Sequence, residues 1–143
     1  MKLVENKKLH LTYVISSSFE AGIELFGFEV KSLRKKQGSL EGAKIIVRGG
    51  EAFLVGAYIP PYQPSNTKAS YDPYRTRKLL LKKDEIEQIY AHEVSKTLTL
   101  HPLSLYSKNN LIKCEVAVCK KKTVRDKRED IKQNIARREL RAS

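Results

Sequence analysis

The chain has 143 residues, 41% hydrophobic and 31% charged: room for one compact domain plus a tail, not for a second independent core. Lysine and arginine total 28 against 16 acids, and the formal net charge of +12 exceeds what solubility needs. It points to a polyanionic partner, nucleic acid ahead of membrane.

Leu9 to Ser16 alternates like a strand, and Phe19-Glu20-Ala21-Gly22-Ile23 extends the pattern, with Gly22 as a bend or bulge. Glu29 to Lys36 has helical spacing and stops at Gly38. A hairpin follows, Ala43–Val47 and Ala52–Ile59, around Arg48-Gly49-Gly50-Glu51; the Arg-Gly-Gly is turn chemistry. Residues 60 to 77 hold Pro60, Pro61, Pro64 and Pro73 with Tyr62, Tyr71 and Tyr74, and read as a long surface loop. Its tyrosines either pack the loop or stack on bases. Asp84 is placed to cap a helix reaching about Glu93. Strands Leu98–Tyr106 and Leu111–Cys119 follow, joined by Ser107-Lys108-Asn109-Asn110. Cys114 and Cys119, five apart in a strand, point to opposite faces and stay free thiols.

Short strands with two helices predict a mainly β domain with flanking helices, built as a closed or nearly closed antiparallel barrel over 1–119. Residues 120–143 form a basic tail with ten basic residues against four acids. With so few apolar residues, the tail is expected to be disordered when free and helical against a phosphate-rich surface.

Chemistry for turnover is thin. His10, His92 and His101 are scattered, with no Cys or acid at ligand spacing, and no phosphate-cradling Gly-rich loop or nucleophile elbow is present. No enzyme, metal or cofactor is expected. The N-terminus MKLVENKKLHLTYVIS lacks the apolar core of a signal peptide, and no run approaches the ~18 apolar residues of a membrane span. A cytoplasmic monomer away from membranes is expected.

Several stretches, in order, resemble the SsrA-binding protein family. They are Asn6-Lys7-Lys8, Phe19 to Ile23, Gly27 to Arg34 (GFEVKSLR), Gly50 to Leu54, and Asp72-Pro73. Arg75 to Leu81 (RTRKLLL), Pro102 to Tyr106 (PLSLY) and Asp126-Lys127-Arg128-Glu129 complete the series. The resemblance implies an OB-fold-like barrel that binds the tRNA-like domain of tmRNA (SsrA RNA). It further implies a tail that enters the decoding centre and mRNA channel of the ribosome's small subunit, in trans-translation.

Carried over position by position, the resemblance implies a tmRNA-facing cluster of Asn6, Glu20, Leu80 and Lys113. Read without it, Glu20 is equally an edge-strand acid, Leu80 a core residue, Lys113 part of a solvated face, and Asn6 a turn cap. Lys7, Lys8, Lys31, Arg34, Arg75, Arg77 and Lys78 are expected to meet the RNA backbone, which positions without reading sequence. Arg34 is also favoured electrostatically at a helix C-terminus. Lys121, Lys122, Arg125, Asp126, Lys127 and Arg128 are the ribosome-binding candidates of the tail.

The tail departs from the family pattern. Lys121-Lys122-Thr123 stands where relatives read Gly-Lys-Lys, and Arg125 where an aromatic or histidine is usual; the tail also ends early, at Ser143. A guanidinium plane stacks on a base as well. Two other readings stay open: a constitutive ribosomal protein or generic single-strand binder, and a small RNase.

Overall fold

The computed structural model describes residues 1–63, 70–95 and 97–142, with only the backbone of Val124, Asp126 and 138–142. Pro64, part of the expected loop, lies outside the described residues. In chain order come β1 (Lys2–Glu5), α1 (Leu9–Thr12), β2 (Tyr13–Ile23), α2 (Gly27–Arg34), β3 (Lys44–Arg48) and β4 (Glu51–Val55). Then follow β5 (Arg77–Leu80), α3 (Lys83–Glu93), β6 (Leu98–Lys108), β7 (Leu111–Lys121) and α4 (Val124–Ala142).

The strands form one antiparallel sheet in the order β1-β6-β7-β2-β5-β4-β3. The expected mainly β, antiparallel class holds, but hydrogen bonding does not close the ring. β1 and β3 are both edges. Part of the β3 edge is served by a helix instead: the Val47 N–H donates to Glu93 Oε2 of α3 at 2.8 Å, and Arg48 pairs with Glu93 Oε1 at 2.7 Å. A carboxylate blunts the edge there.

β7 explains its own sequence. It lies between β6 and β2, and its apolar run is buried on both faces. Cys114, Val116 and Val118 join the main core with Leu33, Leu54, Leu79 and Ile89. Ala117 and Cys119 face a smaller cluster around Leu9, so the two free cysteines do lie on opposite faces.

Local signals held unevenly. Both hairpin turns are tight: Gly49 and Gly50 join β3 to β4 with positive φ, and Asn109 and Asn110 do the same for β6 and β7. These left-handed conformations suit glycine and asparagine. The expected strand from Leu9 begins instead as a helical turn, closed by Leu9 and Leu11 amides on the Asn6 and Lys8 carbonyls, and β2 starts at Tyr13. The bulge in β2 lies between Ile15 and Ser17, not at Gly22. α2 stops before Gly38: Lys36 takes the left-handed conformation, and the Lys36 and Gln37 amides bond back to the Leu33 and Ser32 carbonyls. Asp84 is not the cap of α3; Lys82 is, with its amide donating to Glu85 at 3.1 Å.

Candidate nucleic-acid interface

Strand register assembles the site. On β2, Gly22 pairs with Lys113 of β7 on one side and with Leu80 of β5 on the other. Glu20 precedes Gly22 by two residues and therefore shares its face. Glu20 thus lines one open cleft of about 610 Å³ with Gly22, Glu51 and Lys78 and with Leu80 and Lys113, which stand sixty or more residues away in sequence.

The Leu79–Leu81 run divides by alternation. Leu79 is buried in the main core, whereas Leu80 is 50% exposed on the cleft wall. Gly22 makes room for it, since a Cβ there would sit 3.1 Å from the Leu80 Cβ.

Glu20 is held in place from β6. The Tyr106 hydroxyl donates to its Oε2 at 2.6 Å, and Lys108 Nζ lies 3.3 Å from the same oxygen. The Tyr106 hydrogen bond, helped by Lys108 and Lys113, outweighs desolvation and keeps the Glu20 carboxyl below the usual carboxylate range. Tyr106 is pushed up in turn, by burial first and by Glu20 second. The cleft therefore offers an ionised acceptor beside lysines. A carboxylate repels phosphate but accepts from base amino groups and 2′-hydroxyls.

Asn6 does not line this cleft. Its amide donates to the Pro102 carbonyl at 3.0 Å, its backbone N–H donates to the Leu103 carbonyl, and it lines two smaller hollows near Leu9 and Leu103.

The basic candidates separate by burial. Arg77 corrects an expectation: its side chain has no exposed surface, so it has no face to present to a phosphate. It donates to Glu29 at 2.6 Å, and to the carbonyls of Ala57 at 2.7 Å and Pro73 at 3.0 Å. A buried guanidinium needs every one of these acceptors. Arg75, at the edge of the same network, is a quarter exposed and donates to Glu29 Oε1 at 2.5 Å. Burial alone would raise the Glu29 carboxyl. Arg75, the Phe26 amide, Arg77 and Tyr71 outweigh it and hold the group low. Tyr71, which the sequence left between loop packing and base stacking, lies against this network. Its hydroxyl is 2.8 Å from both Glu29 Oε2 and the Ile59 carbonyl, and burial with Glu29 pushes it up to about 12.

Lys7 and Lys8 are exposed, Lys8 pairing with Glu41 at 3.0 Å. Lys31 lies 5.9 Å from the Tyr62 ring centre, and Arg34 donates to the Asn110 carbonyl at 3.1 Å. Lys78 pairs with Glu51 at 3.0 Å on the cleft rim, and that contact raises its pKa.

In the tail, Lys121, Arg125, Lys127 and Arg128 are exposed, and Arg125 lies 3.6 Å from Glu129. Lys122 is half-buried against Asp130, and its amide donates to the Thr12 carbonyl at 2.8 Å. The Asp126 side chain lies outside what is described. Sequence reasoning missed Gly22 and Glu51 as cleft residues, and Tyr106 and Lys108 as the side chains that hold Glu20. Only cross-strand pairing, with Tyr106 opposite Lys113, reveals them.

Among the described residues no three His, Cys, Asp or Glu side chains cluster to hold a metal, and no helix is long and apolar enough to cross a membrane.

Known proteins are similar to this chain over most of its length. The SsrA-binding protein of Chromohalobacter salexigens is 44% identical over 126 residues, 88% of this chain and 80% of that protein. That of Mesoplasma florum is 44% identical over 137 residues, covering 95% and 92%, and that of Cupriavidus pinatubonensis 42% over 139, covering 97% and 93%. A chain from a solved structure described as "tmRNA-SmpB: a journey to the center of the bacterial ribosome" superimposes with a TM-score of 0.73. It is 34% identical and the match covers 92% of this chain and 95% of that one. Residues 3–143 also match the family described as SmpB protein, and with sequence and shape agreeing over nearly the whole length, this chain belongs to the SmpB family.

Proposed function

We propose that this chain is a non-catalytic RNA-binding adaptor of trans-translation, which binds the tRNA-like domain of tmRNA and delivers it to stalled ribosomes. The observation that carries the reading is the row Lys113, Gly22 and Leu80 across three adjacent strands, with Glu20 on the same face. It combines an acceptor for amino and 2′-hydroxyl groups, an apolar contact and a cation. Such a mixture selects a folded RNA surface by shape rather than by charge alone. Relatives named for binding SsrA, and a structural neighbour described with tmRNA and the ribosome, support the same partners.

The protein acts in the cytoplasm, where its ribosomes are, as a monomer and without a cofactor. The RNA-binding domain expected over 1–119 runs on to Lys121, where β7 ends, and the residues beyond it are the tail that enters the decoding centre and mRNA channel. α4 leaves Ile131 and Ile135 at least half exposed, so little apolar burial supports it, and helices of this kind are marginal alone in water. The tail is therefore disordered when free and helical against ribosomal RNA. Asn6 shapes the RNA surface through its hold on Pro102, while Lys7, Lys8, Lys31, Arg34, Arg75 and Lys78 supply backbone contacts.

The test is a titration against tmRNA and an unstructured RNA of equal length at physiological salt. A preference of a hundredfold or more, about 2.7 kcal/mol, establishes the adaptor; equal binding replaces it with a generic RNA binder. Truncation after Thr123 leaves β7 whole and should keep tmRNA binding while abolishing tagging of stalled peptides. Tagging by the truncated protein would refute the role given to the tail.

A further inference from the structure

Phe26 is 50% exposed at the start of α2, a large ring left in water. It is not loosely held. The Arg75 guanidinium carbon lies 4.0 Å from the ring centre. Phe28 backs the ring at 5.5 Å and rests edge-on against Tyr71 at 4.7 Å. One buried carboxylate fixes both halves of the pair. Glu29 Oε1 accepts the Phe26 amide at 2.7 Å and Arg75 Nη2 at 2.5 Å.

A ring that merely closed the helix end would gain most by turning inward. This one stays at the surface with a guanidinium group over it, both anchored by Glu29 before any ligand arrives. Preorganised planes of this kind suit a flat partner, because little side-chain freedom remains to be lost on binding.

The pair lies close to the cleft along the chain. The β2–β5 seam extends beyond Ile23, with the Glu24 amide donating to the Lys78 carbonyl at 3.0 Å. Only five residues separate Arg75 from Leu80, at most roughly 18 Å of chain, and Lys78 lies between them. Aromatic surface interleaved with cations is the pattern that receives unpaired bases, since every base has a π face.

We propose that Phe26 and Arg75 form a stacking platform for one unpaired base of the RNA whose folded part occupies the Glu20–Leu80–Lys113 cleft. This inference rests on the RNA-binding reading above.

The test uses the full chain. Phe26→Ala should lower tmRNA affinity roughly tenfold, as expected for the loss of one stacked base, with an unchanged melting curve. The protein has no tryptophan, so Phe26→Trp makes a single-tryptophan reporter. That variant should keep wild-type affinity and lose emission as tmRNA saturates it. Wild-type affinity in Phe26→Ala together with unquenched emission in Phe26→Trp overturns the platform. So does normal tmRNA binding by Phe26→Ala with failed tagging on ribosomes, which would assign the ring to a ribosomal partner. If Phe26→Ala melts early, the quenching of Phe26→Trp decides alone. Failure of the wild-type chain to prefer tmRNA would remove the parent reading, and is seen without any variant.

Discussion

Gly22 of β2 and Leu80 of β5 are register partners so close that a methyl group on Gly22 would stand 3.1 Å from the Leu80 Cβ. Glycine here is a matter of space: it lets Leu80 lie over the strand between Glu20 and Lys113. Gly22→Ala should push Leu80 outward, and because Leu80 is half exposed the fold should lose less than about 1 kcal/mol. Affinity for tmRNA should fall several-fold, approaching that of Leu80→Ala. Unchanged affinity at unchanged stability would show that the position of Leu80 does not matter to the RNA.

Glu29 holds two guanidiniums, a phenol and a backbone amide with one carboxylate. Glu29→Gln removes the charge that compensates the wholly buried Arg77, and should cost about 3–5 kcal/mol in denaturant unfolding. Arg75→Ala should cost clearly less, because Arg75 is partly exposed and Arg77 remains paired without it. Equal losses would mean that burial does not set the hierarchy.

The same carboxylate sets an acid limit. Folding lowers the Glu29 pKa, so the unfolded chain takes up that proton first as pH falls. The stabilisation is complete above the ordinary glutamate value of roughly 4.3 and drains away as pH drops through and below it. Melting temperatures from pH 7 to pH 3 should fall steeply only at the acid end, and Glu29→Gln should flatten that fall. A parallel curve for the variant would place the acid sensitivity elsewhere.

Tyr106→Phe removes the hydrogen bond that contributes most to keeping Glu20 acidic. The Glu20 carboxyl should then titrate closer to its ordinary range, as followed by NMR of its side-chain carbon. Loss of tmRNA binding on acidification should begin at higher pH than in the wild type. Glu20→Gln should bind weakly at every pH and leave the melting curve in place. A Tyr106→Phe protein whose Glu20 titration does not move would break the link between β6 and the cleft.

Burial pushes the Cys114 thiol up to about 12 and Cys119 up to about 11. Alkylation needs the thiolate. Neither cysteine should react with iodoacetamide at pH 8 in the native protein, and both should react in denaturant. Rapid native labelling at Cys119 would mean that the small cluster around Leu9 opens readily.

The sequence by itself determined what depends on composition and near neighbours. The basic charge, the mainly β class and the two tight hairpin turns are all local. They follow from side-chain period and backbone preference within a few residues. Leu9 shows where that logic stops: its alternating pattern suits a strand, yet Asn6 and Lys8 carbonyls draw it into a helical turn against Ala117 and Cys119.

Only the tertiary structure decided which residues of like kind do which work. Arg75 and Arg77 look equivalent in the run RTRKLLL, but Arg77 is sealed against Glu29 while Arg75 reaches the surface beside Phe26. Leu79 and Leu80 divide between core and cleft in the same way. Each outcome depends on pairing across strands far apart in sequence, Gly22 with Lys113 and Leu80, and Glu20 with Tyr106. A one-residue slip in that pairing would turn every side chain to the other face, and no short-range pattern encodes the register that prevents it.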